Sequence, residues 1–271
     1  MKGENMENQS FFFIQITDPQ FGMFTANADF DQEAVLFEKA IAQVNRLGPE
    51  FLIITGDLIN EPGDEEQTTA VLHIAGKIDP GIKLFHIPGN HDIGDAPTVK
   101  MLNWYRQRIS KDWYSFDVGS WHFVALNSCI IFNGENAPQE VQKQWEWLNQ
   151  DLRQSRIHSA DRIMVFMHHS LFLEDPEEPG DGYFNIPEPT RRVYLDLFHQ
   201  FGVQAVMAGH RHINFLAAAG SMEMITTAPV GMPLAEDPSG FRIVKIHGNR
   251  LVHQYFGLDN LPEHIELPIS Q

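Results

Sequence analysis

The chain has 271 residues, 43% of them apolar, and a formal net charge of −17. That length and apolar content suit a large folded core and exclude a disordered chain, while the acidity argues against a nucleic-acid backbone as partner. The single cysteine, Cys129, excludes an intrachain disulfide and a thiolate metal cage, and reads as a small buried hydrophobe.

In chain order, MKGENMENQS has no apolar signal-peptide core, and residues 1–10 are expected to form a flexible tail on one domain spanning 1–271. No run approaches the roughly 18 apolar residues of a membrane span. A cytoplasmic protein without a membrane partner is the expectation. FFFIQITD (11–18) reads as a buried strand ending in Asp. In the next segment Ala34, Phe37, Ile41 and Val44 share one helical face, which Gly48-Pro49 closes. FLIITGD (51–57) is a strand, EEQTTAVLHIAGKI a weaker helix, and KLFHIPGNHD a third strand. TVKMLNWYRQRI is helical, WHFVALNS a strand, and the amphipathic helix from Pro138 follows. RIMVFMHH (162–169) is another buried strand. The helix EPTRRVYLDLFHQFG ends at Gly202, and VQAVMAGHRH is a further strand. From residue 213 the texture changes to short antiparallel strands, the last two joined at Gly248-Asn249. The alternation predicts a parallel sheet covered by helices, with the C-terminal strands forming a second sheet. The acidic stretch 173–189, with Tyr183 and Phe184, is the longest irregular segment, and such loops are functional or mobile.

In open α/β sheets, ligands bind beyond the carboxyl ends of the strands. Here those ends repeat one chemistry. The first carries Asp18 and Gln20, the second Asp57, and the third Asn90, His91 and Asp92. Later ends carry His168 and His169, then His210 and His212. Any one of these turns is ordinary; five in series point to a metal centre. Carboxylate, amide and imidazole without thiolate suit Mn²⁺, Fe or Zn²⁺. The donors outnumber the needs of one ion, and two ions about 3.5–4 Å apart would use them all. By strand alternation His169 points away from this rim.

DPQ, GDLIN, GNHD, MHHS and GHRH follow the order of the calcineurin-like metallophosphoesterases, which the chain resembles over about residues 11–257. DPQFG, TGDL, PGNHDIGDAPT, LNS and the late DPSGFRIV pattern look like one branch, the calcineurin-like phosphoesterase domain-containing proteins. That branch includes a serine/threonine phosphatase. The resemblance implies a four-layer α-β-β-α sandwich of two mixed sheets, with a dinuclear metal site at the strand ends. It implies a first ion on Asp18, Gln20, Asp57 and His212, and a second on Asp57, Asn90, His168 and His210, with Asp57 as the bridge. His91 would face the substrate, and Asp92 would brace the turn.

Two positions depart from the family pattern. Gln20 stands where an imidazole is usual, and its amide oxygen is a weaker, neutral donor. Asn60 stands where many relatives have an Asp that orients the catalytic His; an amide can orient His91 but raises its basicity less. Hydrolysis of a phosphorylated small molecule or protein is expected, with water activated between two dications and His91 protonating the leaving oxygen. Arg211 would reach the phosphate. A phosphodiesterase for cyclic nucleotides or small diesters is the alternative, and a non-catalytic scaffold a third.

Overall fold

The computed structural model describes residues 10–159 and 162–267. The expected N-terminal tail therefore lies outside the described residues, except Ser10, which opens the first strand. Five strands form one mixed sheet. β1 (Ser10–Ile16), β2 (Phe51–Thr55) and β3 (Lys83–Ile87) run parallel, and β10 (Gly240–His247) and β11 (Arg250–Gly257) extend it antiparallel beside β1, in the order β11-β10-β1-β2-β3. The second mixed sheet has six strands. β5 (Trp121–Ala125), β6 (Ile163–Phe166), β7 (Val203–Ala208) and β9 (Met222–Thr226) are parallel neighbours. β4 (Tyr114–Val118) and β8 (Phe215–Ala219) are its antiparallel edges.

Every residue of β2 and β6 is buried, because both faces of each sheet are covered. This is why these strands read as continuous apolar runs instead of alternating ones. Phe13, Phe51, Phe123 and Phe166 meet between the sheets, with Phe13 and Phe51 stacked at 4.5 Å. Their neighbours Ile14, Leu52 and Ile54 point outward onto α1 (Asp31–Leu47) and α2 (Glu65–Ala75). On the other side Val124, Val165 and Val206 pack on α6 (Pro138–Ser159) and α7 (Glu188–Phe201). The result is the four-layer α-β-β-α sandwich. Cys129 is fully buried, as expected. Gly48 and Gly202 close α1 and α7 in the left-handed conformation.

The C-terminal strands do not make a sheet of their own. β8 and β9 complete the six-stranded sheet, with β9 parallel to β7, whereas the β10–β11 hairpin joins β1. Backbone groups on both sheets' flanks needed partners, and the late strands supply them. Three elements go beyond the sequence pattern: β4, α3 (Asn90–Ile93) and α5 (Ser128–Phe132). Between them runs α4 (Val99–Arg108). Strands β1, β6 and β7 also stop two to four residues short of the predicted ends, leaving the polar residues in loops.

Candidate metal centre

The carboxyl ends of β1, β2 and β3 from one sheet and of β6 and β7 from the other converge. The loops are laced together by their backbones. Asp18 N–H donates to the Gly56 carbonyl at 3.1 Å, Gln20 N–H to that of Asp57 at 2.8 Å, and Gly209 N–H to that of His168 at 3.0 Å. Asp18, Gln20, Asp57, Asn90, His168, His210 and His212 are all buried.

Donor atoms of Asp57, His168 and His210 lie within 4.8 Å of one another. His168 Nε2 is 3.1 Å from Asp57 Oδ2 and 3.1 Å from Asn90 Oδ1. Its Nδ1 is committed to the Thr55 carbonyl at 2.9 Å, so Nδ1 must carry the proton. A neutral His168 thus turns a lone pair toward two oxygens that are themselves acceptors. Only a cation in their midst satisfies all three: a second proton or a metal ion. Burial by itself would lower the affinity of His168 for that proton, yet the Asp57 carboxylate outweighs it and lifts the imidazole to about 9. Asp57 responds in kind. Its burial would raise its pKa, and His168, with His91 next, holds it well below the usual carboxylate range.

The same logic holds around Asp18. His212 Nδ1 sits 2.6 Å from the Met232 carbonyl, and Nε2 faces Asp18 Oδ1 at 3.4 Å. His210 joins the two groups. Its backbone N–H donates to Asp18 Oδ2 at 3.1 Å, and its ring Nε2 is bonded to the Tyr183 carbonyl at 3.0 Å, which leaves Nδ1 for a ligand. Burial, and after it the positive charge of His168, push His210 down to about 4, so it is neutral and able to donate a lone pair. Gln20 Nε2 donates to Asn60 Oδ1 at 3.1 Å, while its Oε1 is buried with no partner. A buried orphan acceptor costs roughly 1–3 kcal/mol unless something cationic meets it. The donor set therefore fits divalent ions: hard oxygens and imidazoles, each imidazole oriented through its second nitrogen by a carbonyl.

His91 is half-buried and stands apart from these clusters, its N–H donating to Asp57 Oδ1 at 2.8 Å. Its ring meets Asn60 not through the expected side-chain amide but through the main-chain carbonyl, 2.9 Å from Nδ1. The Asn60 side chain serves Gln20 instead. Asp92 braces the turn: its carboxylate accepts from Leu58 N–H at 2.8 Å and Gly89 N–H at 2.8 Å. Burial, with Asp57 next, raises Asp92 to about 7. Gly89 is a tight spot beside the bridge candidate. A Cβ there would lie 2.7 Å from Asp57 Cγ and closer still to Oδ1.

Arg211 lies between two ligand candidates, but its guanidinium rests over the Phe184 ring at 5.3 Å and its Nε is buried without a partner. His169 does not point away. β6 has ended at Phe166, so strand alternation no longer applies, and the His169 ring sits 4.4 Å from that of His210. Ser128 of the LNS motif explains its placement. The hydroxyl accepts from His168 N–H at 3.0 Å and His169 N–H at 2.9 Å and bonds His169 Nδ1 at 3.0 Å. Tyr183 reaches the centre as well. Its ring packs on His210 at 4.7 Å and its hydroxyl is 3.3 Å from Asn90 Nδ2. The 173–189 loop therefore walls one side of the centre, fastened by Glu178, which accepts from the N–H groups of Leu173, Glu174 and Asp175.

A family model described as calcineurin-like phosphoesterase matches residues 13–214. The serine/threonine-protein phosphatases CPPED1 of Pongo abelii and Homo sapiens are each 34% identical over 268 residues, covering 93% of this chain and 85% of theirs. A probable cyclic nucleotide phosphodiesterase of Vesicomyosocius okutanii is 30% identical, covering 65% of this chain and 67% of its own. Among solved structures, a dimetal phosphatase from Danio rerio superposes with TM-score 0.68 at 15% identity, over 92% of this chain and 96% of that one. The Plasmodium GAP50 anchor of the inner membrane complex follows at 0.67 and 14%, over 92% and 85%. The same fold thus serves a protein described as a dimetal phosphatase and one described as an anchor. Here both the acidic and the imidazole groups are present and aimed inward, and the chain belongs to the calcineurin-like phosphoesterase family as a metal-binding hydrolase of phosphate esters.

Proposed function

We propose that the protein is a dinuclear phosphomonoesterase acting on phosphoserine or phosphothreonine in a phosphoprotein. The observation that carries the dinuclear reading is the pair of imidazoles, His168 and His212, whose Nδ1 atoms are both tied to carbonyls while their Nε2 atoms face carboxylates. Asp18, Gln20, Asp57 and His212 would hold one ion, and Asp57, Asn90, His168 and His210 the other. The oxygen and imidazole donors favour Mn²⁺, Fe or Zn²⁺. When bound, the two ions supply positive charge for the phosphoryl oxygens and Lewis acidity for water.

The chain's own residues do the rest. Asp57 spans both positions, and its Oδ1 also fixes the His91 backbone at 2.8 Å, tying the proton donor to the bridge. The Asn60 carbonyl accepts a hydrogen bond from His91 Nδ1–H and leaves Nε2–H for the leaving alkoxide. Tyr183 forms one wall of the centre, its ring against His210. The relatives named serine/threonine-protein phosphatases support the monoester, phosphoprotein reading. The relative named as a probable cyclic nucleotide phosphodiesterase supports the second reading, a diesterase. We place the protein in the cytoplasm, in keeping with a phosphoprotein substrate.

Turnover of an aryl phosphate against its bis-aryl diester, with added Mn²⁺, separates the two. Hydrolysis of the monoester and of a phosphoserine peptide is expected; hydrolysis of the diester alone overturns the monoesterase reading.

A further inference from the structure

Gln20 presents its carbonyl oxygen to the centre, and a chain of amides decides that it does so. Gln67, on α2, is buried, and its Oε1 lies 3.0 Å from Asn60 N–H and 3.1 Å from Glu61 N–H. Backbone N–H groups can only donate, so this end of the amide must be the oxygen. Its Nε2 must then donate, and it does so to Asn27 Oδ1 at 3.0 Å. Asn27 Oδ1 also receives Asn60 Nδ2 at 2.8 Å. With its nitrogen so engaged, Asn60 turns Oδ1 to Gln20, which must answer with Nε2 at 3.1 Å. Gln20 Oε1 is left pointing inward, buried and unpartnered. Each link fixes the polarity of the next, starting from two backbone groups that cannot be reversed.

Gly22 makes room for this. A Cβ there would meet Asn27 Oδ1 at 2.6 Å and Gln67 Nε2 at 2.7 Å. The same Gln67 also pins Asn60 N–H, on the residue whose carbonyl orients His91. The two departures from the family pattern, Gln20 and Asn60, are thus consecutive links of one relay.

We infer that Gln67 is a positioning residue that sets the polarity of the Gln20 amide, and with it the binding of one ion, through Asn27 and Asn60. This rests on the reading of Gln20 as a ligand.

The test is Gln67→Glu at pH 8. The introduced carboxylate still accepts from the N–H groups of Asn60 and Glu61, so local structure is kept, but it offers Asn27 an acceptor instead of a donor. Asn27 must turn its Nδ2 to that carboxylate, Asn60 must then turn its Oδ1 to Asn27, and Gln20 must point Nε2 inward. Titration calorimetry with Mn²⁺ on the metal-free protein should show one of the two ions weakened by about 10-fold or more. Adding Asn60→Asp restores the binding, because a carboxylate at that position accepts from both Asn27 and Gln20 and returns the Gln20 oxygen to the centre. A merely structural role for Gln67 predicts no such rescue. Gln20→Ala is the control. If it leaves both ions at wild-type affinity, the ligand reading fails. If it weakens one ion and Gln67→Glu does not, the relay is overturned. Weakening by Gln67→Glu without rescue by Asn60→Asp overturns it equally.

Discussion

Gly89→Ala should inactivate the enzyme. Gly89 has φ −105° and ψ 177°, extended backbone that alanine adopts without strain. The cost is purely one of contact. The added methyl would run into Asp57 Oδ1 and the Asp57 backbone N, and would lie 2.7 Å from Cγ, whereas ordinary contact begins at 3.4 Å. Asp57, carboxylate and backbone together, must therefore retreat by about 1 Å, several times the roughly 0.2 Å tolerance of a metal–ligand bond. Because Oδ1 also holds the His91 N–H, the proton donor moves with it. Misplacement on this scale costs about 10²-fold, and we expect kcat/KM for an aryl phosphate to fall by that factor, or about 2.7 kcal/mol. The assay is steady-state turnover with saturating Mn²⁺, with ion content measured alongside. Gly48→Ala is the comparison. Its left-handed φ of 68° makes alanine strained, but nothing lies within 4 Å of the new methyl. It should lose about 1 kcal/mol of stability and keep its kcat/KM. Gly89→Ala turning over within about threefold of wild type would refute the role assigned to Asp57.

Asp57→Asn should damage activity more than Gln20→Ala, since Asp57 serves both ion positions and Gln20 contributes one neutral oxygen; the reverse ranking in kcat/KM would remove Asp57 as the bridge. Gln20→His, which supplies a stronger donor, should tighten one ion in a calorimetric titration. His91→Ala should keep both ions and lose about 10²–10⁴-fold in rate on an alkyl phosphate, and less on an aryl phosphate, whose leaving group needs little protonation; equal losses would reduce His91 to a positioning group. His122 lies 2.7 Å from Asp117 and 2.9 Å from Asp151, and although burial would lower its pKa these two carboxylates raise it. A raised histidine stabilises the fold fully below its ordinary value of 6.5 and loses that contribution as pH rises through the folded value. The melting temperature should therefore drop further between pH 6 and pH 9 in the wild type than in His122→Gln, and parallel profiles would contradict this.

The sheets are legible in the sequence because burial on both faces writes apolar runs into β1, β2, β6 and β7. The positions of the donors are legible for a related reason: polar residues directly after such runs have nowhere to go but the rim. What cannot be read is pairing. MEMITTA carries the same alternation whether its neighbour is parallel or antiparallel, and nothing local announces that β10 will lie beside β1. YSFDV, the segment that forms β4, lies on the sheet edge with three of its five side chains half-buried, so its pattern is faint. His169 defeats the alternation rule because the rule stops at the end of β6 and the residue sits in a loop. Asn60 has the right partner through the wrong atom, since a sequence shows side chains and His91 is held by a main-chain carbonyl.

The backbone explains why the centre is built from loops and not from the strands themselves. Among the described residues, seven non-glycine positions have positive φ, and five of them are proposed ligands: Asp18, Gln20, Asp57, His210 and His212. Such conformations cost of order 1–3 kcal/mol each, so five of them together rival the whole net stability of a domain. Glycine would remove the strain, but glycine has no donor atom, and the chemistry forbids it there. The strain persists because strained turns are bonded to one another. Asp18 donates to Gly56 and Gln20 to Asp57, while the Asp18 carboxylate holds the N–H of His210. No turn can relax to an ordinary conformation without breaking its neighbour's hydrogen bond. A regular strand sends successive side chains to opposite faces; a left-handed residue just past the strand end re-aims its side chain across the rim. That turn of the chain is what lets donors from two separate sheets converge on one centre.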